Sequence, residues 1–181
     1  MTTELTRQIN ASTDADTPIE VTGSSIEYRP DGTPVIAHTD AQQSGTHLVD
    51  CHDAACTEST SRVLTGSPYA WTTTHAPPGL AIDSQGVPHV ATADLDAWKL
   101  VLVSCLDLTC SEHTTVPLSG FGEQPRTILL GLDGQDRPRL VWGPSPGEEG
   151  LWHTGRGPDG EYLWCTEPRC GAPGSDQGSA P

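Results

Sequence analysis

What this chain of 181 residues lacks most is helical periodicity: no stretch repeats apolar residues at i, i+3, i+4 and i+7 over three turns, and Met, Phe and Lys occur once each. Almost no helix is expected. Long apolar runs are missing too. No segment approaches the length of a membrane span, and the N-terminal MTTELTRQINASTDADTPIE has no apolar core of the kind a secretory signal needs. That places the chain in the cytoplasm, or outside the cell if a leader precedes it, and the paired cysteines described below favour an oxidising compartment. Positive charge is also scarce. Nine basic against 24 acidic residues give a formal charge of −15, which excludes a nucleic-acid backbone and an anionic membrane as partners, because both would be repelled at long range. There is no phosphate-cradling loop and no H-E-x-x-H, and GPSPG (143–147), a literal G-x-S-x-G, has no helix start behind it.

What the chain has instead is Gly (19) and Pro (16) over an apolar content of 34%, the composition of short strands joined by turns. Its length suits one core. IEYRPDGTPVIAHTD (26–40), LAIDSQGVPHVATAD (80–94) and LGLDGQDRPRLVWG (130–143) align on Pro34, Pro88 and Pro138, with spacings of 54 and 50 residues. Each unit opens with an apolar pair at alternate positions, Ile26 and Tyr28, Leu80 and Ile82, Leu130 and Leu132, the period of a strand buried on one face. A turn follows, PDGT, SQGV or GQDR, and Pro then opens a second strand where its missing N–H is tolerated. A third strand runs into a C-x4-C element in every unit, and SRVLT (61–65) and HTTVPL (113–118) supply fourth strands for the first two. The fourth strand of the last unit is assigned to LTRQIN (5–10), from the opposite end of the chain. The expected organisation is all-β: one domain over residues 1–170, three four-stranded antiparallel repeats at about 22–65, 76–118 and 126–170, and a disordered tail at 171–181.

The three units resemble the repeats of bacterial sialidase-like, BNR-type β-propeller proteins, in which a strand, an Asp/Gly turn and a further strand recur. The resemblance implies blades around an axis. Three blades are fewer than the usual ring of four to eight, so either a homodimer joins three blades to three or a monomer closes with pseudo-threefold symmetry. A β-trefoil or β-prism is the alternative. Sialidase chemistry itself is not expected, since Arg29 and Arg126 occupy non-equivalent positions and no third axial Arg presents itself.

In a propeller, ligands meet the rim made by the loops entering the first strands and the loops between second and third strands. Here that rim gathers Trp71, His75, Asp94, Trp98, Lys99 and Arg126, with His38 and Trp142 at one repeat position on the second strands. Aromatic faces for stacking beside charged groups for orientation fit a neutral or cationic small molecule or a glycan. The alternative is an enzyme, a lyase, cyclase or hydrolase, using His75 with Asp94 or Glu123 for acid/base catalysis at the same rim. A structural or protein-interaction module is the third reading. His38 and Asp40 alternate on one strand as a metal pair would, but His38 becomes Thr92 and Trp142 in the other units, so neither metal nor cofactor is expected.

Cys51 with Cys56, Cys105 with Cys110 and Cys165 with Cys170 repeat one spacing at the end of each third strand. The intervening residues share no His and none forms C-x-x-C, which disfavours a common metal or redox role. Three disulfide staples remain, each closing a short loop worth roughly 2 kcal/mol.

Overall fold

The structure, a computed structural model, describes residues 21–40, 45–66, 76–94, 99–120, 125, 127–143 and 161–164. Each repeat begins as a hairpin: β1 (Val21–Tyr28) with β2 (Pro34–Asp40), β5 (Gly79–Ile82) with β6 (Pro88–Asp94), and β9 (Thr127–Leu132) with β10 (Pro138–Gly143). One turn serves all three. Arg29, Asp83 and Asp133 each donate a backbone N–H to the residue before the proline and accept one from Gly32, Gly86 or Asp136, at 2.9–3.1 Å. Those last three residues are left-handed, with φ of 85°, 86° and 57°, a conformation glycine adopts without strain and aspartate tolerates.

The hairpins extend through β3 (Gly45–Cys51) and β4 (Ser59–Gly66) in the first repeat, β7 (Lys99–Cys105) and β8 (His113–Gly120) in the second, and β11 (Glu161–Trp164) in the third. Three antiparallel sheets result, ordered β1-β2-β3-β4, β5-β6-β7-β8 and β9-β10-β11. LTRQIN, assigned to a fourth strand of the last sheet, lies outside the described residues.

The sheets stack through their first strands, β1 against β5 and β5 against β9. The middle sheet is covered on both faces. Val90, Val101 and Val103 cluster with Val35, Ala37 and Leu48 of the first sheet, while the alternate residues Ala91, Leu100 and Leu102 cluster with Ile128, Leu140 and Trp142 of the third. Burial of each Leu or Val contributes about 1.5–3 kcal/mol, so these two layers carry the fold. At the inner edge the approach is close: a Cβ built on Gly79 would lie 2.9 Å from both Cβ and backbone N of Leu130. Four-stranded meanders stacked by their innermost strands are the blades of a β-propeller-like fold, not the repeats of a trefoil or prism.

One expectation fails. Ile26 and Tyr28 are 43% and 60% exposed, whereas Leu80, the counterpart of Ile26, is 4% exposed. The alternation of β1 is real, but the face carrying Ile26 points away from the second sheet. The residues turned toward that sheet are Val35, Ala37 and Leu48.

Candidate functional site

The two ends of the blades are built differently. At one end stand the proline turns and the C-x4-C loops, and local hydrogen bonds determine their shape. Cys51 and Cys56, and likewise Cys105 and Cys110, are disulfide-bonded with Cα atoms 4.8 Å apart. Cys165 and Cys170 lie outside the described residues. Inside each described loop an aspartate gathers donors. Asp53 accepts from the N–H groups of Ala55, Thr57 and Glu58 and from the Thr57 hydroxyl, and Asp107 accepts from the backbone and hydroxyls of Thr109 and Ser111 and from the Glu112 N–H. The Thr57 hydroxyl, then its N–H, pulls the Asp53 carboxyl below the usual range, and the Ser111 and Thr109 hydroxyls pull Asp107 down further. At Asp133, burial alone would raise the carboxyl, but the N–H groups of Gln135 and Arg137 and the Arg137 guanidinium outweigh it and hold the value at about 2. Asp31 is lowered by the Thr33 hydroxyl and N–H. All four shifts come from loop geometry, so they mark scaffold and not a catalytic centre.

The repeated pattern C-x-D-x-x-C-[TS]-E, at Cys51–Glu58 and Cys105–Glu112, is the sequence signal for these aspartates. Comparing the loops only for shared histidines passes over it.

At the opposite end the second strands finish and the third strands begin. Asp94 and Lys99 are partners across the β6–β7 hairpin, Asp94 half-buried and Lys99, the chain's one lysine, exposed. Cross-strand pairing sets the two residues on one face at the base of one loop, an acceptor carboxylate and a donor ammonium on neighbouring strands. In the first blade His38 pairs with His47, and the two buried rings stack with centroids 5.1 Å apart and planes at 13°. Beside them the buried Thr46 and Thr92 hydroxyls meet at 2.6 Å across the two blades.

Of the rim residues read from the sequence, Trp71, His75, Trp98, Glu123 and Arg126 lie outside the described residues. Asp94 closes β6 and Lys99 opens β7, on either side of the second-to-third strand loop of the second blade. His38 does not face solvent but packs on His47, and Trp142 packs in the apolar layer with Leu102 and Leu140. Trp142 lies one residue inside the end of β10, on the face stacked against the second sheet, whereas His38 lies on the face of the first sheet turned away from the second, with its ring against His47. Asp40 belongs to β2, but its side chain is outside the described residues. Among the described residues, no three His, Cys, Asp or Glu side chains converge on a point.

A further polar chain, which no motif in the sequence announces, runs through the second blade. His89, buried, has Nδ1 at 3.1 Å from Ser104 Oγ and Nε2 at 3.5 Å from Asp83 Oδ2. The connectivity is that of an acid–base relay, yet Ser104 is wholly buried and cannot meet a substrate. It braces the proline turn against β7.

No family model and no curated protein matches the chain. Among solved structures it is similar to an exo-β-1,3-galactanase from Clostridium thermocellum, at 16% identity and a TM-score of 0.48 over 84% of this chain and 33% of that one. It is also similar to a GH43 β-1,3-galactosidase solved with galactodeoxynojirimycin, at 12% identity and 0.47 over 87% and 45%. The chain spans a third to under half of their length.

Proposed function

We propose that the protein binds a glycan, or a neutral or cationic small molecule of similar polarity, at the rim where second strands pass into third strands. One observation carries this reading. The disulfide and proline-turn ends repeat from blade to blade, while the other ends diverge: the loops DAQQSG (40–45), DLDAWK (94–99) and PSPGEEG (144–150) share little, and only the second blade has Asp94 and Lys99 as cross-strand partners. A scaffold conserves the parts that fold it, and the end relieved of that constraint is where specificity resides. A lone ammonium in a chain of charge −15 is a directional donor to sugar hydroxyls, and Asp94 beside it is an acceptor.

The same divergence favours one composite centre over a multivalent lectin, which would use equivalent positions in several blades. An enzyme acting at that centre, with His75 as acid/base, is therefore the second reading. Calorimetry against a panel of neutral and amino sugars tests the first. Binding that weakens in Lys99→Ala and Asp94→Asn while the fold persists supports the rim, and binding that ignores both substitutions overturns it. Product release from the same panel, abolished in His75→Ala, would establish turnover.

A further inference from the structure

We propose that two copies of this chain close a six-bladed ring head to tail, the third blade of each packing on the first blade of the other.

The interfaces inside the chain define what such a contact needs. Each blade grips its successor with one face and is gripped on the other, and equivalent positions do so at both junctions. The gripping face carries Ala37 in the first blade and Ala91 in the second. The gripped face carries Leu80 and Val90 in the second blade, and Leu130 and Leu140 in the third. Continuing the pattern names the two faces left over. On the third blade the gripping positions hold Leu129 and Val141, paired across β9 and β10 and exposed at 59% and 37%. On the first blade the gripped positions hold Ile26 and Tyr28, also exposed, and Ile36, the counterpart of Val90 and Leu140, which is already buried with Val49 within the chain, so the open part of this face is its β1 edge.

These are apolar residues at positions that the internal junctions bury or half-bury, so the surface that completes one face is the one the other face provides. A second copy offers both at once, and a twofold axis then generates two identical closing junctions. A closed three-bladed monomer would instead bring β1 against β9 and bury these same residues. Among the described strands β1 and β9 each pack on β5, and the residues stay exposed.

The internal contacts also give the register. Gly79 meets Leu130, and their counterparts at the closing junction are Leu129 and Ile26 of the second copy. Leu129 stands where β5 has glycine, so the closing junction is wider than the β5–β9 one, with two large side chains filling the gap. Charge opposes the association, because each chain carries −15. Added salt screens that repulsion and strengthens the dimer.

Sedimentation equilibrium of the full chain in moderate salt tests this directly. A species of twice the 19.1 kDa chain mass is expected. Ile26→Lys and Leu129→Glu should each give a folded monomer of unchanged circular dichroism, and the double variant should regain the dimer, because every closing junction then sets Lys against Glu. A monomer at all concentrations and salts overturns the proposal, whatever covers the two faces. So does a dimer indifferent to both single variants, or a double variant that stays monomeric. The mass readout needs no ligand, so its failure is distinguishable from failure of the rim site.

Discussion

Arg29 and Asp50 form a buried ion pair of 2.6 Å between the first turn and the third strand of the first blade. The same guanidinium donates from Nε to the Gly86 carbonyl at 3.1 Å and from Nη2 to the Leu108 carbonyl at 2.6 Å, both in the next blade. One side chain therefore neutralises a buried carboxylate and ties two blades. Arg29→Ala leaves Asp50 buried without its cation, at an expected cost of about 3–5 kcal/mol. Urea unfolding of Arg29→Ala, Asp50→Asn and the double variant measures it. The double variant should lose less than the two single losses added together.

Acid should unfold the protein through its loop aspartates. Asp53 and Asp107 are held below the ordinary value of 3.8, and Asp133 at about 2, by hydrogen bonds that exist only in the folded state. The unfolded chain therefore takes up protons first as pH falls. Stability is fully present above about pH 5 and is lost progressively through 4 and toward 2. Chemical unfolding across that range should show the decline, with a shallower slope in Asp107→Asn.

The C-x4-C loops act as staples. Thiol titration of the native protein should find Cys51, Cys56, Cys105 and Cys110 unreactive until reductant is added. Removing one pair by double Cys→Ala substitution should cost about 2 kcal/mol on the chain-entropy estimate. The loop aspartate keeps part of the turn in place after the bond is gone.

Close approach of the inner strands makes Gly79 intolerant. A Cβ there would meet the backbone of Leu130 at 2.9 Å, so Gly79→Ala should lower stability by about 1–3 kcal/mol by forcing β5 and β9 apart. Gly131, with no atom within 4 Å of its Cβ position, is the control. Thermal melts of the two variants compare them.

Much of this fold was legible in the sequence because it is written three times. The alignment on Pro34, Pro88 and Pro138 located the hairpins, since a proline that opens a strand and a left-handed residue two positions before it are local requirements. Which face of β1 would be covered was not legible. Alternation shows that a strand has two faces, not which one meets a neighbour, and the face that carries Ile26 and Tyr28, expected to be buried, is the one turned away from the second sheet. Trp142 reads as a rim aromatic in the sequence, which gives its order along β10 but not how deep the sheet stacking reaches. The contacts of Arg29 with Gly86 and of the Ser84 hydroxyl with the Asp136 carboxylate join residues more than 50 positions apart, and nothing local announces them.

The division of each blade into a folding end and a binding end is tested most directly by comparing ligand affinity in Lys99→Ala with that in Asp107→Asn, once a sugar ligand has been found by calorimetry. Lys99→Ala should weaken binding about tenfold or more, the loss of roughly one charge-assisted hydrogen bond, while Asp107→Asn lowers stability and leaves affinity unchanged. Affinity that falls in Asp107→Asn and holds in Lys99→Ala would put the site at the opposite end and contradict the account.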